Sequence, residues 1–127
     1  MNIRAYAVAL ACTALLACSS STPANKAPVV DFVDMPATAM GTGGNYVVQG
    51  TITFHDDDDT VTQLRLEADG AQSAPPSNFP QPAMMGKAPL ALTFTGVTPG
   101  LVLNYRISVI DSRGLESAKT MRSVTLQ

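Results

Sequence analysis

The run His55-Asp56-Asp57-Asp58-Asp59 gathers the residues of this chain best able to do chemistry. Hard carboxylate oxygens collected in one loop are what Ca²⁺ requires, about six to eight of them at about 2.3–2.6 Å. The spacing and glycine of an EF-hand loop are missing. Neighbouring side chains on an extended backbone point to opposite faces, so two of the four aspartates, Asp57 and Asp59, are expected to turn toward one ion. The same run also reads as a solvated turn in which Asp caps free amides. His55 is the single histidine, too few neutral donors for a zinc site. Met35, Met40, Met84, Met85 and Met121 carry thioethers that, with an imidazole, suit Cu(I), although no His-x-Met spacing occurs and methionine also fills cores. Ser, His and Asp are present without a Gly-x-Ser-x-Gly elbow, and the glycines of residues 41–44 lie in a strand connection, not before a helix. No enzyme activity is expected.

The elements that must position these groups follow a period of two. Tyr46, Val48, Gly50, Ile52 and Phe54 alternate with Val47, Gln49, Thr51 and Thr53. Leu64, Leu66 and Ala68 alternate with Gln63, Arg65 and Glu67; Leu90, Leu92 and Phe94 alternate with Ala91, Thr93 and Thr95. Leu103, Tyr105, Ile107 and Val109 are expected inward, with Asn104, Arg106 and Ser108 outward. A β-branched run at 29–33 and a last strand over 119–126 complete the set. Breakers separate them at 41–45, 56–60, 69–89, 99–100 and 111–114. Pro75, Pro76, Pro80, Pro82 and Pro89 deny the 69–89 stretch regular pairing, so at most an edge strand is expected there. Its Pro- and Met-rich part, with Phe79, reads equally as a binding loop or a plain connection. Six to seven short strands and no helical pattern predict an all-β fold, a single antiparallel β-sandwich.

Composition agrees. At 127 residues, with 46% hydrophobic and 14% charged side chains, the chain suffices for one small domain. Eight basic against ten acidic residues leave a net charge of −2, the wrong balance for gripping a phosphate backbone, so no nucleic-acid partner is expected. No apolar run reaches the ~20 residues of a membrane-spanning helix.

Arg4 followed by an almost wholly apolar stretch over 5–17 has the plan of an export signal. Leu15, Leu16, Ala17 and Cys18 then resemble the lipobox of bacterial lipoproteins. The resemblance implies cleavage after residue 17, a diacylglycerol on the Cys18 thiol, and commonly an acyl chain on the new amino terminus. Several chains anchor durably where one is marginal. Ser19, rather than Asp, implies sorting to the outer membrane, on its periplasmic or surface-exposed face. Cys12 falls within the signal, so the mature chain keeps only the anchor thiol and forms no internal disulfide. Residues 18–28 are small, polar and proline-containing, a flexible tether before a domain at 29–127.

The second half resembles a family more closely. Thr95-Gly96-Val97-Thr98-Pro99-Gly100, then Tyr105-Arg106-Ile107-Ser108-Val109-Ile110-Asp111-Ser112-Arg113-Gly114-Leu115-Glu116-Ser117, is similar to the E–F corner, F strand and F–G turn of fibronectin type III and related bacterial Ig-like domains. Tyr105 stands two residues later than in that pattern and Leu103 takes the usual Tyr place, so the strand phase survives while a tyrosine-corner hydrogen bond does not follow. The Trp usual in an early strand is absent. The topology implies that the B–C and F–G turns share one end, which brings Asp111 and Glu116 toward Asp57 and Asp59 as Ca²⁺ ligands. Arg113 at the same end is the alternative, a guanidinium neutralising those carboxylates without metal. Together the resemblances imply a membrane-anchored envelope lipoprotein acting as a structural, adhesion or protein-binding module for another envelope protein or surface polymer. The alternatives are a metal or small-ligand carrier and an accessory subunit of an envelope complex.

Overall fold

The computed structural model describes residues 23–70 and 75–127. The expected signal, Cys18 and the first part of the expected tether lie outside the described residues. Among the described residues nine strands follow in order: β1 (Val29–Asp34), β2 (Thr38–Ala39), β3 (Gly41–Thr42), β4 (Asn45–His55), β5 (Val61–Ala68), β6 (Ser77–Ala83), β7 (Met85–Phe94), β8 (Val102–Asp111) and β9 (Thr120–Leu126). Among the described residues there is no helix. In the first sheet β7 pairs along β4 from Tyr46 to His55, while β1 and β3 share the other side of β4. The second sheet has the order β2-β9-β8-β5-β6. This is an Ig-like β-sandwich, antiparallel except for the short parallel pairing of β2 with β9.

The alternation read from the sequence builds the core between the sheets. Tyr46, Val48, Ile52 and Phe54 of β4 and Leu90 and Leu92 of β7 are buried in one cluster with Val61, Tyr105, Ile107, Val109, Val124 and Leu126 of the second sheet. One outward position departs from expectation: Ser108 is 1% exposed. It lies opposite Arg65 in the β5–β8 register and donates its hydroxyl hydrogen bond to Glu116. The Arg65–Glu116 ion pair, at 3.4 Å, covers this part of the outer face.

The proline-rich stretch does hold an edge strand, β6, which among the described residues pairs only with β5 and does so across a register shift. Phe79 turns inward from it and stacks on Phe54, with ring centroids 5.0 Å apart. The following strand starts earlier than the sequence pattern suggests, at Met85. Residues 85–89 are therefore strand rather than loop. Among the described residues β7 pairs only with β4, so alternate N–H groups meet no described strand and Pro89 is tolerated.

Two glycines shape the entry. Gly43 and Gly44, with φ of 62° and 79°, turn β3 back into β4, the backbone a two-residue hairpin demands. Gly50 lies under the point where the chain leaves β1 in the first sheet for β2 in the second. A Cβ at Gly50 would overlap the Asp34 carbonyl oxygen and the Met35 sulfur.

Tyr105 is 1% exposed, and its hydroxyl has no hydrogen-bond partner among the described residues. The tyrosine-corner bond is thus absent, and burial pushes the phenol pKa above its ordinary 10.0. A raised folded-state pKa means that the neutral phenol suits the fold. Its stability contribution is intact below pH 10 and falls as pH rises from the unfolded toward the folded pKa. Tyr105→Phe is expected to hold or raise stability at neutral pH, by up to about 1 kcal/mol, because it removes an unsatisfied buried hydroxyl. It should also lessen the loss of stability above pH 10. Urea unfolding of both proteins at neutral and alkaline pH checks this; a destabilised Phe variant would mean that the hydroxyl has a partner.

Candidate functional site

The β4–β5 turn (residues 56–60) and the β8–β9 connection (residues 112–119) meet at one end of the sandwich, as the topology implied. The Ser112 N–H donates to the Thr60 carbonyl at 2.8 Å, and the Ser112 hydroxyl donates to Asp59. Asp56 opens the first turn. It is 4% exposed, and its Oδ1 accepts the N–H groups of Asp58 and Asp59 at 3.1 and 3.0 Å. This Asp-capped turn is what an Asp before three tight residues makes. Its Oδ2 is buried without a hydrogen-bond partner among the described residues. Asp111 closes β8 and is 2% exposed. Its Oδ1 accepts the N–H groups of Arg113 and Leu115, both at 2.8 Å, and fixes the β8–β9 turn.

The four residues singled out as metal ligands sit in different surroundings. Asp57 lies at the exposed tip, 3.2 Å from Lys26 Nζ. Asp59 is 2.8 Å from Arg113 Nε. The Ser112 hydroxyl, the Thr60 N–H and Arg113 together hold the Asp59 carboxyl below the usual range. Asp111 stands beside it at the apex, and Glu116 is bound to Ser108 and Arg65 on the outer face of the second sheet. Among the described residues no three His, Cys, Asp or Glu side chains form a metal-holding group. Arg113 is the cation that faces Asp59 at this apex.

Residues that sequence reasoning passed over complete the apex. Asn25 Nδ2 donates to Asp111 Oδ2 at 2.7 Å. The Lys26 N–H reaches the Asp58 carboxylate, its oxygens at 3.2 and 3.4 Å. Residues 25 and 26 of the expected tether therefore lie against the domain. Their signal was faint: one Asn and one Lys in a stretch of small residues.

His55 lies at the end of β4, where its Nδ1 is 2.7 Å from Asp31 Oδ1. That bond raises the imidazole pKa above 6.5. The β4–β7 register sets His55 opposite Met85, so one thioether neighbours the imidazole while a carboxylate holds the ring. At the sheet edges a cleft of about 400 Å³ opens between β6 and β7, lined by Phe54, Phe79, Pro80, Pro82 and Met85.

No family model matches the chain, and no curated protein matches it significantly. Solved structures do. The chain is similar to the PKD domain of an M14-like peptidase from a Thermoplasmatales archaeon, at 20% identity and a TM-score of 0.56, covering 81% of this chain and 98% of that one. It is also similar to a mutant of the SrpA adhesin from Streptococcus sanguinis, at 13% identity and a TM-score of 0.51, covering 84% of this chain. This chain spans 60% of the adhesin chain's length. At these identities the likeness shows the Ig-like fold.

Proposed function

We propose that the chain is a bacterial envelope lipoprotein, held to a membrane by lipid on Cys18, whose Ig-like sandwich serves as a structural or adhesion module rather than an enzyme. The observation that carries this reading is the two-sheet fold, similar to a PKD domain and to an adhesin. The lipobox residues Leu15 to Cys18 supply the membrane attachment, and Ser19 favours the outer membrane. Asn25 and Lys26 touch the domain at the apex, so the chain between Cys18 and Asn25 spans at most roughly 25 Å. The apex then stands close to the lipid headgroups, and the opposite pole is offered to another envelope protein or surface polymer.

The test is metabolic labelling of cells with an alkyne fatty acid, followed by fractionation. The wild-type chain should take the label and sediment with the outer membrane. Cys18→Ser should lose the label and appear in the soluble periplasmic fraction or remain unprocessed. Label and membrane retention persisting in the variant would overturn the anchor.

A further inference from the structure

We infer that the open side of the sandwich, between β6 and β7, binds the acyl chain of a free anionic amphiphile of the fatty-acid class, with Lys87 at the rim meeting its headgroup. The chain passes from β6 in the second sheet to β7 in the first through Met84. Both are edge strands, and among the described residues no strand bridges them. Apolar side chains of the inner layer therefore reach the surface along this side. The cleft of about 400 Å³ has the stacked rings of Phe54 and Phe79 in its lining. A second cleft, of about 310 Å³, shares Pro89 with it and is lined by Leu64, Leu66, Leu90 and Leu92. Sites for small molecules are of this kind, about 300–1,000 Å³ and mostly apolar with few polar groups. From Met85 to Leu92 the strand runs about 23 Å. An acyl chain in a bilayer spans about 15 Å, half the thickness of the hydrocarbon core.

The residues at these edges choose the occupant. Pro80, Pro82 and Pro89 remove N–H donors from β6 and β7. An added peptide strand would lose main-chain bonds there, whereas an acyl chain needs none. Charge selects the headgroup. Lys26, Arg65, Arg106, Arg113 and Lys119 each meet a carboxylate, and Arg122 donates to the Met121 carbonyl. Among the described residues Lys87 alone has no such partner; it is exposed and lines the larger cleft. No acidic side chain among the described residues lines either cleft. An apolar channel with one ammonium at its rim matches a tail with one negative head. This inference stands apart from lipid on Cys18, because the site belongs to residues 54–92 and takes a ligand that is not attached to the chain.

The experiment holds the full chain in an uncharged maltoside detergent and irradiates it with a diazirine analogue of palmitic acid, the cross-linked residues being mapped by mass spectrometry. Cross-links should fall on β6 and β7. Palmitate should suppress them at a concentration about threefold or more below that of hexadecanol, its uncharged counterpart. Lys87→Glu, a change at an exposed position, should remove that advantage. Ala88→Phe fills the larger cleft, which Ala88 lines, and should remove most of the cross-links; if it fails to fold, Lys87→Glu decides alone. Cross-links scattered over the surface would overturn the site, and so would equal suppression by palmitate and hexadecanol or an advantage that survives Lys87→Glu. Cys18→Ser separates a free ligand from the chain's own lipid. Equal labelling of β6 and β7 in the wild type and in Cys18→Ser supports the site whether or not Cys18 carries lipid. Labelling confined to Cys18→Ser would give the cleft to the acyl chain on Cys18 and overturn the free-ligand site.

Discussion

Ile107→Ala lowers the unfolding free energy by about 2–5 kcal/mol. Ile107 is 0% exposed and sits on β8 between β5 and β9, opposite Leu66 on one side and Thr120 on the other. A central position in a two-sheet core cannot collapse around the missing methyl and methylene groups, so a cavity adds to the lost transfer free energy. Its neighbour provides the comparison. Ser108→Ala leaves the core untouched but removes a hydroxyl bonded to the Glu116 carboxylate, which costs about 1.5 kcal/mol. Urea unfolding midpoints of the two variants check the order. A cost at Ser108 equal to that at Ile107 would contradict the assignment of one to the core and the other to a covered outer face.

Gly50→Ala destabilises by about 3 kcal/mol or more, although alanine is intrinsically the better strand residue. The added methyl meets a main-chain carbonyl, Asp34 O, as well as the Met35 sulfur, and a carbonyl moves only with its strand. The crossing of β1 into β2 would be pushed outward and with it the β2–β9 pairing. Gly86→Ala is the control. Its Cβ would come to 3.4 Å from the Phe54 ring, an ordinary contact, so its effect should stay within about 0.5 kcal/mol. Denaturation of both variants distinguishes a steric requirement at Gly50 from a general intolerance of alanine in these strands.

The long central strands were legible because one face of each must be apolar: Tyr46 to Phe54 and Leu103 to Val109 could only be read with period two. The two-residue strands β2 and β3 were not, since two residues carry no periodicity and their pairing is set by the crossing at Gly50 and the turn at Gly43. Ser108 misled because polarity normally marks an open face, and nothing local announces that Arg65 and Glu116 will roof it. The meeting of the two turns followed from topology. Which aspartates would find cations did not follow, because four identical residues in a row differ only in how the turn winds. Asp56 is turned inward by the two N–H groups it caps, whereas Asp57 is left at the tip.

The parallel pairing of β2 with β9 governs how the domain carries tension. Main-chain hydrogen bonds from Thr125 N–H to Ala37, from Gln127 N–H to Ala39 and from Gly41 N–H to Gln127, at 2.8, 2.8 and 3.2 Å, join the entering chain to the last strand. A pull on the amino-terminal segment against the far pole draws these parallel strands in opposite senses along their length. The bonds then share the load in shear, whereas an antiparallel hairpin pulled from its open end would unzip one bond at a time. Gly50 thereby acquires a mechanical role, since the crossing it permits lets the first part of the chain grip the last. Single-molecule extension would register that grip as the force at which the domain yields.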